Sequence, residues 1–355
     1  MILNINNLLR ENIRNLKPYS SARDEFSGEA AVFLDANENP FNSPWNRYPD
    51  PRQVKLKTRI AEIKNIPVSK IFLGNGSDEP IDLLFRAFCE PGKDNVVSIS
   101  PTYGMYRVAA DTNNVAIKPV PLSAEFELDA DSILAAVTPD TKIIFLCSPN
   151  NPSGNALNIN EMLRIIEGFN GIVVVDEAYI DFCPVKSFLP SLNLYHNLVI
   201  LQTFSKAWGM AGLRLGMAFA EDKIVEVLGR IKYPYNLSML TQQKVLELLN
   251  GETQKLGWVA VILEEREKLI KNLSGFSFVI KVFPTDANFV LVRTHDPRRI
   301  YNYLIDTKIV VRDRSSVSLC EGCLRISVGS PEENKTIIEA LNEFDLKFSQ
   351  ENKFI

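Results

Sequence analysis

Three apolar runs in this chain stop at chemically committed residues, and that constrains its fold more than any other feature. Ile143 to Leu146 leads into Ser148-Pro149-Asn150-Asn151-Pro152-Ser153-Gly154, Ile172 to Val175 into Asp176-Glu177-Ala178-Tyr179, and Asn197 to Gln202 into Thr203-Phe204-Ser205-Lys206. Short apolar runs bounded by turn residues read as buried strands. Their ends then present an asparagine, an aspartate and a lysine, and open α/β sheets bind ligands outside the carboxyl ends of their strands.

Taken singly, these residues say little. Lysines are mostly exposed, and an Asp ending a strand or an Asn before Pro is ordinarily a cap or turn residue. Their joint occurrence in this order points to a site. Gly209, Gly212 and Gly216 let the loop after Lys206 approach a ligand closely, and Ser205 and Arg214 within it suit a phosphate. A second anion seat is offered by Phe72 to Pro80, where Gly74 and Gly76 precede Ser77, Asp78, Glu79 and Pro80. Pro80 fits a helix's first turn, and Ile81, Leu84, Phe85 and Phe88 make one apolar stripe, so a helix N-terminus is expected there with free N–H groups facing outward.

The 355 residues allow about two domains. Strand and helix patterns alternate to about residue 231, as in a mostly parallel sheet covered on both faces. A helix is expected from about Pro51 to Lys64, and a long helical stretch over 238–273. Beyond it, Val279 to Phe283, Ala287 to Val292, Ile309 to Val311 and Leu324 to Val328 read as short strands, with helices near 297–307 and 331–345. The expected division is a large α/β unit, 46–242, and a smaller α+β unit made of 1–45 and 243–355, with the first 45 residues irregular. Arg312 and Arg325 lie at strand ends of the smaller unit, where a guanidinium fork suits a carboxylate or phosphate.

Net charge is −4 with no basic block, which argues against nucleic acid or a membrane surface as partner. No apolar run approaches the roughly 18 residues of a membrane span, and the first residues lack the basic start and cleavage site of a secretory signal; a cytoplasmic protein is expected. The five cysteines are Cys89, Cys147, Cys183, Cys320 and Cys323. Cys320 and Cys323 have C-x-x-C spacing, yet zinc would need a second pair or histidines, and His196 and His295 sit at no ligand spacing. No metal is assigned.

The Lys206 loop with the Asp176 and Asn151 segments resembles the fold-type I enzymes that use pyridoxal 5′-phosphate (PLP). Within them, LKPYS, LDANENP, NRYPDP, LGNGSDEPIDLLFRAF, SPTYGMYR, CSPNNPSGN, VVVDEAYIDF, TFSKAWGMAGLRLG, VRDRS and GCLRISVG are similar to the histidinol-phosphate aminotransferase family over nearly the whole chain. The resemblance implies a ping-pong transamination in histidine biosynthesis between a phosphorylated amine, histidinol phosphate, and a 2-oxo acid, 2-oxoglutarate. Lys206 would bind the cofactor's aldehyde and then serve as base and acid. Asp176 would keep the ring nitrogen protonated, and Asn151 and Tyr179 would donate to the ring's phenolic oxygen. Tyr103 would stack on the ring, while Ser77, Asp78, Ser205 and Arg214 would hold its phosphate. The resemblance further implies a homodimer with shared sites, Tyr48 reaching the phosphate from the other subunit. Arg325 would take the substrate carboxylate, and Arg312 with Tyr19 the substrate phosphate. Trp208 departs from the smaller residues frequent at its position, which bears on pocket shape.

Two other activities share these motifs: decarboxylation of a phosphorylated amino acid such as threonine phosphate, and transamination of aromatic amino acids. A noncatalytic effector-binding domain of the same fold would carry an appended DNA-binding module, and no basic helix-turn-helix segment is present.

Overall fold

Seven strands form the larger sheet: Ile71–Asn75 (β1), Asn95–Ser100 (β2), Ala116–Pro121 (β3), Thr141–Cys147 (β4), Ile172–Asp176 (β5), Leu198–Thr203 (β6) and Leu215–Ala220 (β7). Their order is β1-β7-β6-β5-β4-β2-β3. The strands from β2 to β6 are parallel, and β7 runs antiparallel to both β1 and β6. The computed structural model describes residues 5–17 and 32–351, the side chains only as far as residue 347.

Alternation along the strands explains why both faces are covered. Ile144, Leu146, Val173, Val175 and Ile200 enter one core, while Ile143, Phe145, Ile172, Val174 and Val199 enter another. Successive strand residues point to opposite faces, so an unbroken Val/Ile run needs a helical layer on each side. Truncating one such residue, Ile172→Ala for example, would cost about 2–5 kcal/mol.

The helix Asp78–Phe88 buries Ile81, Leu84, Phe85 and Phe88 as its spacing requires. The helix expected from Pro51 starts at Val54 because the Asp50 carboxylate accepts from the Val54 N–H at 2.7 Å, and it buries Leu56 and Ile60. The 238–273 stretch is two helices, Met239–Leu248 and Glu252–Leu273, interrupted near Gly251.

A second, antiparallel sheet contains Val279–Val282 (β8), Phe289–Thr294 (β9), Arg312–Asp313 (β10) and Cys323–Ser327 (β11), in the order β10-β11-β9-β8. It shares a core with helices Glu252–Leu273, Pro297–Asp306 and Pro331–Glu351. Ile309 to Val311 is not a strand: Ile309 and Val311 cap this core from a loop, and pairing starts one residue later at Arg312. The N-terminal stretch also departs from expectation. Ile5–Leu8 and Glu11–Arg14 are short helices, and Ile5, Leu9 and Ile13, spaced by four, join the core around Phe88. Arg10 N–H donates to the Ala87 carbonyl at 3.0 Å, tying this segment to the larger sheet's helical layer.

Candidate active site

Strand register brings the committed residues level. Cys147 pairs with Asp176 across β4 and β5, and Asp176 with Leu201 across β5 and β6. Asn151 and Lys206, on the loops after β4 and β6, therefore flank Asp176, and all three line one pocket with Tyr179. Lys206 Nζ lies 5.4 Å from the centre of the Tyr179 ring.

The floor of the pocket is a buried carboxylate. Asp176 is 2% exposed. Its Oδ2 accepts from Tyr106 Oη at 2.7 Å and its Oδ1 from the Ala178 N–H at 3.1 Å. Burial pushes its pKa up to about 6, against the opposing pull of those two hydrogen bonds. No cation forms a salt bridge with it among the described residues, an arrangement that suits a cationic ring nitrogen arriving with a ligand. Lys206 is displaced the other way: burial, then the Arg325 charge, holds its pKa below the ordinary lysine range while Asp176 opposes them. More of the amine is thereby neutral and nucleophilic.

The anion seat forms where β1 and β7 meet. Gly76 has φ +69°, and a Cβ there would lie 2.6 Å from Arg214 Nη2. At Gly216 a Cβ would come within 2.2 Å of the Gly76 and Ser77 backbone. Only glycine permits this approach. The Gly76 N–H donates to the Arg214 carbonyl at 2.7 Å, so the Arg214 loop is fastened beside Ser77 and Asp78 at the start of their helix. The Asp78 carboxylate is already engaged, accepting from Tyr103 Oη at 3.0 Å and pairing with Arg214 at 3.4 Å. What this turn offers an anion is backbone N–H, with Ser205 and the Arg214 guanidinium lining the same pocket. Burial first, then Asp78, raises the Tyr103 phenol pKa above its ordinary value.

Arg325 enters from the second sheet. Its Nη1 donates to Asn151 Oδ1, and its guanidinium lies 5.1 Å from the Phe289 ring centre. Asn151 Nδ2 in turn reaches Tyr179 Oη at 3.4 Å. Arg312 stands directly opposite Arg325 in the β10–β11 register and is exposed.

Not every expected residue gathers here. Tyr48 does not line this pocket; it is 49% exposed and stacks on Tyr235 with ring centres 4.4 Å apart. Tyr19 lies outside the described residues. Trp208 faces away from the pocket, buried edge-on against Phe204 at 5.5 Å, so it leaves the pocket's lining unchanged.

Three contributors are absent from the sequence reading. Tyr106 is fully buried beneath Asp176. Asn150 holds two loops together, donating to the Pro101 carbonyl at 3.0 Å and accepting from Thr102 Oγ1 at 3.0 Å. Arg314 is half-buried beside Arg325 and Arg312, with its Nε unpartnered among the described residues. The R-x-R spacing of 312 and 314 was the available signal for the last.

An amine, a buried carboxylate lacking a cation and an anion seat, all on one pocket, fit the phosphorylated aromatic aldehyde that the resemblance implies. The model of class I and II aminotransferases matches residues 26–341. The chain belongs to the class I and II aminotransferase family. This aminotransferase is 56% identical to the histidinol-phosphate aminotransferase of Parabacteroides distasonis, over 96% of this chain and 99% of that one. It is 53% identical to that of Cytophaga hutchinsonii, over 97% and 100%. Among solved structures, the histidinol-phosphate aminotransferase of Sinorhizobium meliloti, in complex with pyridoxal 5′-phosphate, superposes with a TM-score of 0.79 over 88% of this chain and 90% of that one, at 23% identity. That last likeness concerns the fold.

Proposed function

We propose that this aminotransferase moves the amino group between histidinol phosphate and 2-oxoglutarate, giving imidazole-acetol phosphate and glutamate in histidine biosynthesis, with PLP held where β4, β5 and β6 end. One observation carries the reading: Lys206, Asp176 and the anion seat meet in a single pocket of a chain more than half identical to histidinol-phosphate aminotransferases along nearly its whole length.

Bound there, PLP supplies an aldehyde that condenses with amines and a protonated ring that draws electron density from the substrate's Cα. Lys206, with its lowered pKa, takes the Cα proton and later returns it. Asp176 would face the ring nitrogen and keep it cationic. Tyr103 would stack on the ring, and the Ser77 and Asp78 N–H groups with Ser205 and Arg214 would hold the phosphate. Asn151 and Tyr179 donate to the phenolic oxygen. Arg325 binds the carboxylate of the amino-acid partner, and Arg312 with Tyr19 the phosphate of histidinol phosphate.

Homodimerisation belongs to the same proposal, with Tyr48 serving the partner's pocket. It is supported by the exposure of Tyr48 and by its place outside its own chain's pocket. A division of the chain near residue 242 belongs to the proposal too, supported by the core that β8, β9 and β11 build with the C-terminal helices; Val245, Leu291 and Cys323 pack into the larger sheet's core, and the helices Ile5–Leu8 and Glu11–Arg14 go with the larger unit. A cytoplasmic location is supported by five free thiols. No helix among the described residues is long and apolar enough to cross a membrane.

An amino-donor panel with 2-oxoglutarate tests the substrate. Histidinol phosphate should yield glutamate faster than any aromatic amino acid. Carbon dioxide released from threonine phosphate, without glutamate from histidinol phosphate, would replace this reading with a decarboxylase.

A further inference from the structure

A buried tyrosine hydroxyl needs a partner, and Tyr106 is 0% exposed. Its ring is fixed on two sides, stacked on Phe145 at 4.7 Å and edge-on to Tyr103 at 5.6 Å. Held so, its hydroxyl has been aimed at Asp176 Oδ2, 2.7 Å away. The opposite oxygen of the same carboxylate is tethered by the Ala178 N–H. One short stretch, Tyr103 to Tyr106, thus touches both the expected stacking ring and the carboxylate on the pocket floor.

We propose that Tyr106 is a positioning residue acting through Asp176: its hydroxyl keeps the carboxylate ionised and turned toward the pocket, so that a proton shared with the cofactor's ring nitrogen resides on the ring. This rests on the reading of the pocket as a PLP site.

The carboxylate and a ring nitrogen compete for one proton, and each hydrogen bond to the anionic carboxylate shifts that proton toward the nitrogen. The other ionisable groups facing Asp176 are Asp78 from the helix start, Lys206 from the β6 loop, Cys147 at the end of β4, and Tyr103 and Tyr179. Lys206 opposes the rise in the Asp176 pKa, Asp78 adds to it, and neither is hydrogen-bonded to it. Tyr106 is the one side chain among the described residues that donates to it.

The test uses holoenzyme loaded with PLP labelled with 15N in the ring, and reads the ring nitrogen's chemical shift against pH. The parent should show a protonated nitrogen through neutral pH. Tyr106→Phe keeps the ring packing and should shift that signal at neutral pH toward the unprotonated value, a roughly tenfold or greater fall in the ratio of protonated to unprotonated nitrogen from losing one bond to a buried charge. Should that variant not fold, a fluorinated tyrosine placed at 106, a stronger donor of the same shape, must move the neutral-pH signal further toward the protonated value. An unchanged neutral-pH shift in folded Tyr106→Phe, or with the fluorinated residue, overturns the proposal while leaving the cofactor site intact. A parent whose bound ring nitrogen is never protonated overturns the pocket reading and this proposal with it.

Discussion

The two sheets meet the pocket differently: the larger one lines it, while the second reaches its edge where Arg325 touches Asn151. At the ends of β4 and β5, polar groups are buried and already partnered: Asp176 by Tyr106 and Ala178, Asn150 by Pro101, Thr102 and Ser153. Along β10 and β11, Arg312, Arg314 and Arg325 crowd together without a carboxylate in salt-bridge reach among the described residues; the last two are partly desolvated, and each shifts to a lowered pKa through burial. Like charges opposite one another destabilise a sheet. A resident cofactor rewards a wall organised before it arrives, whereas substrates that exchange every half-reaction reward cations left unneutralised until an anion enters.

Breaking the organised side should cost most. Lys206→Ala should lower turnover about 10³-fold or more, since a positioned base alone is worth 10²–10⁴-fold. Single-turnover kinetics with saturating PLP measures it, and the Arg214 and Ser77 seat should still retain the cofactor. On the open side, Arg325→Ala should weaken the half-reactions with glutamate and with histidinol phosphate by tenfold to over a hundredfold, about 1.5–3 kcal/mol. The cofactor's absorbance should not change. Equal performance with both substrates would make Arg325 structural and break the contrast.

A smaller effect concerns the floor itself. Burial raises Asp176 from 3.8 to about 6, so between those values the folded protein retains a proton that the unfolded chain has lost. The Asp176 contribution to the stability of cofactor-free protein therefore falls as pH rises from about 4 to about 6, by ~2–3 kcal/mol. Asp176→Asn removes this contribution, and its denaturant midpoint should gain on the parent's over that window. The least demanding test sits outside both walls: Tyr48→Ala chains mixed with Lys206→Ala chains should recover about a quarter of parental activity, because half of random dimers are hybrids with one intact site of two. No recovery after verified exchange would remove Tyr48 from the partner's site.

The organised side is the more legible one because its strands are buried on both faces and end abruptly; apolar runs point to the loops that bring Asn151, Asp176 and Lys206 to one pocket. Pairings across the fold left no such mark. Tyr106 reads as one more core aromatic of a helix, and only the sheet register puts Asp176 above it. Ile309 to Val311 looks like a strand, yet its apolar residues cap a core from a loop, since burial and strand pairing select the same residue types. In the N-terminal segment, three apolar residues spaced by four were too few to announce the short helices that dock beside Phe88. Arg314 carries no mark in the sequence beyond its R-x-R spacing from Arg312; its place beside Arg325 comes from the fold.

Borohydride reduction of the PLP-loaded protein, followed by peptide mapping, tests most directly the claim that the pocket is built around Lys206. Lys57 and Lys64, on the helix Val54–Lys64, are also held below the ordinary lysine pKa by burial, so a lowered pKa alone would not select between them. The reduced cofactor should be found on Lys206. Its recovery on Lys57, Lys64 or any other lysine would contradict the assignment of the site.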